Sequence, residues 1–446
     1  MSDPSRRPDD GQGYDPAAEV TQICSDLIRI DTTNYGDQNG PGERKAAEHV
    51  AALLDEVGVE AQMFESEPGR TTMVARWGET PDNRHRDPLL VHGHLDVVPA
   101  RAEDWQVHPF SGEVRDGYVW GRGAVDMKDF DAMVLSTLRA RTGSGAMPSR
   151  PLVLCFTADE EAGGKKGAGW LTEHHPDLVA GCTEAIGEVG GFSATVNDQR
   201  IYLVESAEKG IEWMRLRAEG HAGHGSMRHL DNAVTALSAA VSRLGAHEWP
   251  THVRPAMAEL LKIVADLVGE EYDEHDPTPL IRHFGTAARM LDAVVRNTTN
   301  PTMLDAGYKV NVIPGEAVAH VDGRVLPGFE DEFYATVDEL LGDRVTREAV
   351  HSDIAFETTF DGALVDAMRA SVLAEDPGAV VAPYLMSGGT DGKYWHKMGI
   401  RSFGFTPLRL PPDLDFTALF HGVDERVPVD ALEFGARVLD RFLDLA

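Results

Sequence analysis

Four short apolar runs, Thr72 to Trp77, Pro88 to Val91, Leu152 to Phe156 and Ile201 to Val204, are each flanked by turn residues. Between them lie stretches in which apolar residues recur at helical spacing. In Glu43 to Val57, for example, Ala46, Val50, Leu53, Leu54 and Val57 share one face and Gly58 follows as a stop; Asp131 to Leu138 is a second such stretch. Strands that alternate with helices build a largely parallel sheet covered on both faces. After Lys209-Gly210 the pattern changes. Ile211 to Ala218 reads as a strand, Ala233 to Leu244 as a helix, and Ala317 to Val325 alternates with the two-residue period of a sheet that has one wet face. From about Glu330 the first pattern returns, with helices near Ala363 to Leu373 and Ala431 to Leu445 and a short strand at Arg401 to Phe405. The expected fold class is α/β, a mostly parallel-sheet domain interrupted by an inserted α+β domain. The expected division is a solvated arm over residues 1–16, a first part over 17–208, the insert over 209–327 and a second part over 328–446.

A chain of 446 residues with 42% hydrophobic residues can bury a large core. Its formal charge of -32, from 73 acidic and 41 basic residues, repels nucleic acid and anionic membrane surfaces, so neither is expected as a partner. No segment approaches the roughly 20 apolar residues of a membrane helix, and MSDPSRRPDDGQGYDP lacks the apolar stretch of a secretion signal. Three scattered cysteines, Cys24, Cys155 and Cys182, suit a reducing compartment. The cytoplasm is the expected location.

Histidines and acids stand just after the expected strands, where an open parallel sheet places its ligand crevice. In His94-Leu95-Asp96 the two polar residues point the same way, so Asp96 can accept the outer N–H of His94 and fix its ring for a metal; taken alone, the same triplet also fits a capped strand end. Asp126, in GRGAVDMK, is either a helix cap or a carboxylate with both oxygens aimed at cations. The glycine turn before it matches neither the dinucleotide fingerprint nor the phosphate loop. In ADEEAGG the acids Asp159, Glu160 and Glu161 end a buried strand, a costly place for charge without a cation. GEVGG adds Glu188, and FHGVDER adds His421. Two histidines and three carboxylates, with Glu160 left over, suit zinc, with cobalt or manganese able to replace it. Two such ions sharing one carboxylate would hold a bridging water as hydroxide. The leftover glutamate can then serve as general base and afterwards as general acid.

The ordered set GHLDVVP, WQVHPFSGEVRDGYVWGRGAVDMK, ADEEAGG, GEVGG, KVNVIPGEAVAHVDGRVLPG, SGGTDG and FHGVDERV resembles the dinuclear zinc amidohydrolases and exopeptidases of the aminoacylase, carboxypeptidase S, acetylornithine deacetylase and glutamate carboxypeptidase group. The resemblance implies a zinc-exopeptidase-like catalytic domain and a lid that also makes a homodimer. It makes His94, Asp126 and Glu188 ligands of one zinc, and Asp126, Glu161 and His421 ligands of the other, with a cis peptide between Asp126 and Met127. Asp96 would orient His94, and Glu160 would be the general base. His92 receives no role. His224 of GHAGHGS would reach the neighbouring subunit's site and polarise the scissile carbonyl, while His221 reads as a surface histidine. Asn311, Arg324, Gly388, Gly389 and Thr390 would hold the substrate, the arginine through its carboxylate. The implied reaction is hydrolysis of an amide next to an amino-acid carboxylate, in a short peptide or an N-acyl amino acid. The alternative is a metal-binding or scaffold protein of the same fold without turnover. Asp129 departs from the small residue common after DMK, and the stretch from about Glu248 to Asn300 is longer than in the simplest lids of the group.

Overall fold

Leu89–His94 and Leu152–Thr157 are buried along their whole length, as strands covered on both faces must be. In the computed structural model, which describes residues 14–36 and 39–446, the two strands run parallel at the heart of a ten-stranded sheet, with Leu89 opposite Leu152 and His94 opposite Thr157. Glu184–Gly187 and Arg401–Gly404 extend the parallel block. Arg70–Trp77 and Ala61–Glu67 continue one side antiparallel. On the other side Gln199–Glu208 pairs antiparallel with Arg401–Gly404 and parallel with Val380–Met386. The two-residue period of a strand divides the side chains between two layers. Leu89 and Val91 join a core shared with the helices Val20–Arg29, Lys128–Ser144 and Val429–Leu445, whereas Leu90, Val153 and Cys155 face a second cluster with Leu171 and Trp395. The α/β class expected from the sequence is the observed one.

The inserted unit is a four-stranded antiparallel sheet in the order Thr298–Ala306, Glu316–Val325, Gly210–Glu219, Val345–Asp353. Met214, Leu216 and Ala218 point to one side, where Ala233–Ala246 and Glu330–Leu341 cover them with Leu237, Leu244, Phe333 and Val337. Ile211 and Trp213 point to the other side.

Two boundaries differ from the expected division. The unit does not stop at residue 327, because Glu330–Leu341 and the edge strand Val345–Asp353 complete its layers. Conversely Pro255–Val268 and the helical turns up to residue 295, although inside 209–327, pack on the large sheet. Met257, Leu260, Leu261, Phe284 and Leu291 belong to its main core. Helical periodicity is the same whichever sheet a helix covers, so the sequence pattern could not assign these helices. Of the arm expected over 1–16, residues 1–13 lie outside the described residues. Beyond them the Tyr14 hydroxyl donates to Asp440, and the Ser136 hydroxyl donates to the Pro16 carbonyl at 2.7 Å. Among the described residues no helix is long and apolar enough to cross a membrane.

Because Leu260 is wholly buried against the large sheet, Leu260→Ala is expected to cost about 2–5 kcal/mol of unfolding free energy, read from denaturant unfolding. A loss under 1 kcal/mol would show that this helix is not part of the main core.

Candidate metal centre and substrate cleft

His94 ends its strand almost fully buried. Its Nε2 lies 3.1 Å from Asp126 Oδ1, 3.2 Å from Glu188 Oε2 and 3.9 Å from Glu160 Oε2. Its Nδ1 is 2.9 Å from the main-chain carbonyl of Asp96 and 3.6 Å from the Asp96 carboxylate. The ring is thus oriented through the backbone of Asp96, which leaves Nε2 for the cluster. The Asp96 carboxylate has a different task. It accepts from Asn34 Nδ2 at 2.8 Å and from the N–H groups of Glu160 and Glu161, both at 3.1 Å. In this way it fixes the turn that carries the two glutamates.

Asp126 presents its second oxygen, Oδ2, to His421 Nε2 at 3.2 Å, and Glu161 Oε2 lies 3.1 Å from the same nitrogen. One carboxylate therefore faces both histidines, one with each oxygen. The peptide Asp126–Met127 is cis. His421 takes a left-handed φ of 57°, and its loop is tied back by Arg122, which donates to the carbonyls of His421 at 3.3 Å and Gly422 at 2.9 Å and pairs with buried Glu425. Glu425 in turn accepts from the Val125 N–H at 2.8 Å, so one ion pair links the Asp126 loop to the His421 loop. His92, two residues before His94, packs against Trp395 with ring centroids 5.7 Å apart. Burial holds its pKa down at about 3. A Cβ on Gly187 would come within 2.3 Å of the His92 ring, so glycine is needed there.

His94, Asp126 and Glu161 can bring one ligand atom each within 4.8 Å of one another, and so can His94, Glu160 and Glu188. The electrostatics point the same way. Burial, followed by the charge of Glu188, pushes the Glu160 carboxyl well up. Burial and the charge of Asp126 push Glu161 up to about 7. Against the burial that would raise it, Asp126 is held below the ordinary carboxylate range by hydrogen bonds from His421 and His94, and the bonds to Asp126 and Glu161 raise His421 to about 10. A nitrogen and oxygen donor set of this kind, with no cysteine in it, fits divalent ions such as zinc.

The cluster forms the floor of a cleft of about 590 Å³ whose walls include Arg324, Gly388, Gly389 and Thr390, a size suited to a small molecule. The face of the inserted sheet turned away from its helices makes the roof. Trp213 is cross-strand neighbour to His351, and Ile211 to Arg324. Arg324 is held by Asp322 through Nε at 2.6 Å and Nη2 at 3.1 Å. Thr390 gives its N–H to Glu208 at 3.0 Å and its hydroxyl to the same carboxylate. His224 and Asn311 are outside the cleft walls. Both are exposed on the small hairpin Gly223–His224 with Val312–Ile313, where His224 Nδ1 lies 2.8 Å from the Ser226 hydroxyl. Exposed His221 pairs with Asp231.

Several cleft residues are missing from the sequence reading. Lys393 Nζ lies 3.2 Å from Asp353 and His351 Nε2 lies 2.8 Å from the same carboxylate, joining the inserted sheet to the large one. Lys393 follows SGGTDG by one position and could have been taken from that motif. His351, Trp213 and Arg289 belong to no motif and reach the cleft only through tertiary packing, with Asp353 behind His351 and Lys393.

This fold, with a mixed nitrogen and oxygen donor cluster at the carboxyl ends of parallel strands, defines a metal-dependent hydrolase. Residues 90–445 match the model of Peptidase family M20/M25/M40, and the chain belongs to that family. It is 30% identical over 366 residues to a probable carboxypeptidase S-like 2 of Dictyostelium discoideum, covering 77% of this chain and 68% of that protein. It is 27% identical over 446 residues to the N-fatty-acyl-amino acid synthase/hydrolase PM20D1 of Xenopus tropicalis, covering 93% and 83%. An M20 family metallo-carboxypeptidase from Sulfolobus solfataricus has the same fold, with a TM-score of 0.72 at 17% identity over 96% of this chain and 99% of that one. The chain is a metal-dependent hydrolase of amide bonds.

Asp96→Ala removes the acceptor of three donors beneath the glutamates, and is expected to weaken metal binding about 10- to 100-fold. Titration of metal-stripped protein with zinc, followed by calorimetry, measures this; unchanged affinity would deny Asp96 its supporting place.

Proposed function

We propose that the chain cleaves the amide bond next to a free amino-acid carboxylate in an N-acyl amino acid or short peptide, with two zinc ions as cofactors. The observation that carries this reading is Asp126, whose two oxygens face His94 and His421 while Glu160 stands beside the cluster. His94, Asp126 and Glu188 would hold one ion, and Asp126, Glu161 and His421 the other. When bound, such a pair lowers the pKa of water and polarises a carbonyl. The Glu160 carboxylate accepts no hydrogen bond from the described residues, and its Oε2 is 3.9 Å from His94 Nε2. It takes the proton of the attacking water and returns it to the leaving amine. Arg324 and the backbone of Gly388 and Gly389 receive the substrate carboxylate, and Thr390, engaged by Glu208, holds their loop. The names of the relatives, a carboxypeptidase and a hydrolase of N-fatty-acyl amino acids, support a substrate of this kind.

His224 and Asn311 act from a partner subunit in this reading. The edge strand Thr298–Ala306 is exposed from Asn300 onward, and Met303, Leu304, Tyr308 and Val310 are bare along it and the turn that follows. An open apolar edge is where another chain adds, and a second copy docked there supports a homodimer in which the hairpin reaches over the neighbouring cleft. Buried, unpaired Cys24, Cys155 and Cys182 support a cytoplasmic location.

A panel of N-acyl amino acids and dipeptides assayed with zinc, cobalt and manganese tests the reading. Glu160→Gln is expected to keep its metal while kcat falls by about two to four orders of magnitude; unaltered kcat would remove Glu160 from the chemistry, and two bound zincs without hydrolysis of any amide would favour a binding protein. Mixing inactive His224→Ala with inactive Asp126→Ala is expected to restore part of the activity. No recovery after demonstrated subunit exchange would place His224 in its own chain's reaction.

A further inference from the structure

Three arginine or lysine side chains line the cleft: Arg289, Arg324 and Lys393. Lys393 is committed to Asp353 and Arg324 to Asp322. Arg289 has no carboxylate partner among the described residues, and its side chain is exposed to the cleft. It comes from the helical turns 282–293, part of the stretch that folds back on the large sheet. Thr286, Arg289, Met290 and Ala293 are spaced three, four and seven positions from the first, so they share one helical face, and all four line the cleft.

Hydrogen bonds show where that face ends. The Ala293 carbonyl accepts from Lys209 Nζ at 3.0 Å, and the Lys209 N–H donates to the Met386 carbonyl at 3.0 Å. Ser387, the next residue, accepts from Arg324 Nη1 at 3.4 Å. Lys209 thus spans from the loop leading into Gly388 and Gly389 to the end of this helical face, and Ala293, Arg324 and that loop line one cleft. Arg289, one turn earlier on the same face, lines the same cleft as Arg324. An unpaired guanidinium offers a planar fork of donors that matches a carboxylate. Arg324 already spends one such fork on Asp322, so Arg289 brings the uncompensated charge.

We propose that Arg289 is a specificity-determining residue that binds the free carboxylate of the leaving amino acid together with Arg324, so that the helical insert selects for substrates with an anion at this end. The proposal rests on the reading of the site as one for amides beside a carboxylate. Met290, Ile211 and Trp213, on the neighbouring walls, add apolar surface but no competing charge.

The test compares an N-acyl amino acid with its carboxamide, which lacks the anion, on the zinc-loaded full chain. Arg289→Ala is expected to raise KM for the acid about 10- to 100-fold with kcat within about twofold. KM for the carboxamide should stay unchanged, and Arg289→Lys should recover part of the loss. An equal effect on both substrates, or no effect on the acid, would overturn the proposal while leaving amide hydrolysis standing. If the wild type cleaves neither compound, the underlying reading fails instead. Calorimetric binding of the N-acyl amino acid then decides the arginine: weaker binding to Arg289→Ala supports it, and equal binding overturns it.

Discussion

Four largely buried carboxylates, those of Asp126, Glu160, Glu161 and Glu188, crowd around buried His94 and the exposed ring of His421. Charges removed from water repel one another far more strongly than on a surface, so this arrangement persists only with positive charge among them. Much of the surrounding structure answers that requirement. Three donors immobilise Asp96 so that it can hold the Glu160–Glu161 turn, and the Arg122–Glu425 pair locks the Asp126 and His421 loops at a fixed separation. Glu43 and Arg70, another buried pair, help fix Asn34, whose Oδ1 accepts from Arg70 at 2.7 Å.

The fold brings these groups together by the ordinary rule of parallel sheets. Leu89–His94, Leu152–Thr157 and Glu184–Gly187 run in one direction, and His94, Glu160, Glu161 and Glu188 emerge at or just beyond their carboxyl ends, where loops meet over a crevice. The inserted sheet supplies the roof with the face that its own helices leave uncovered. A few polar links, Lys393 to Asp353, Arg324 to the Ser387 carbonyl and the Lys209 amine to the Thr298 hydroxyl, pin this roof to the floor near the cluster. Small relative motions of the two sheets would therefore change the height of the cleft more readily than the spacing of the ligands.

The strands and their terminal acids were legible in the sequence because burial on both faces demands unbroken apolar runs, and a charged residue straight after such a run is conspicuous. His94, Asp126, Glu160, Glu161, Glu188 and His421 were all read from local motifs, and the structure gathers them. The roof was not legible. Trp213, His351 and Asp353 look like ordinary strand residues, and only pairing of Gly210–Glu219 with Val345–Asp353 brings them together. The domain boundaries failed for the same reason, since Pro255–Val268 has an amphipathic pattern that says it covers a sheet but not which one. The orientation of His94 was half legible: proximity to Asp96 followed from spacing, but whether the carbonyl or the carboxylate meets Nδ1 depends on backbone geometry that spacing does not encode.

The last member of the cluster in sequence order, His421, is far removed along the chain from the others. Asp126 and Glu161 are synthesised long before His421, whose Nε2 is their shared neighbour. Until the segment that bears His421 packs against them, Asp126 and Glu161 lack their shared imidazole. Closing the second half of the pocket is thus a long-range step of folding rather than a local one, because its shared imidazole lies far along the sequence from the acids it joins.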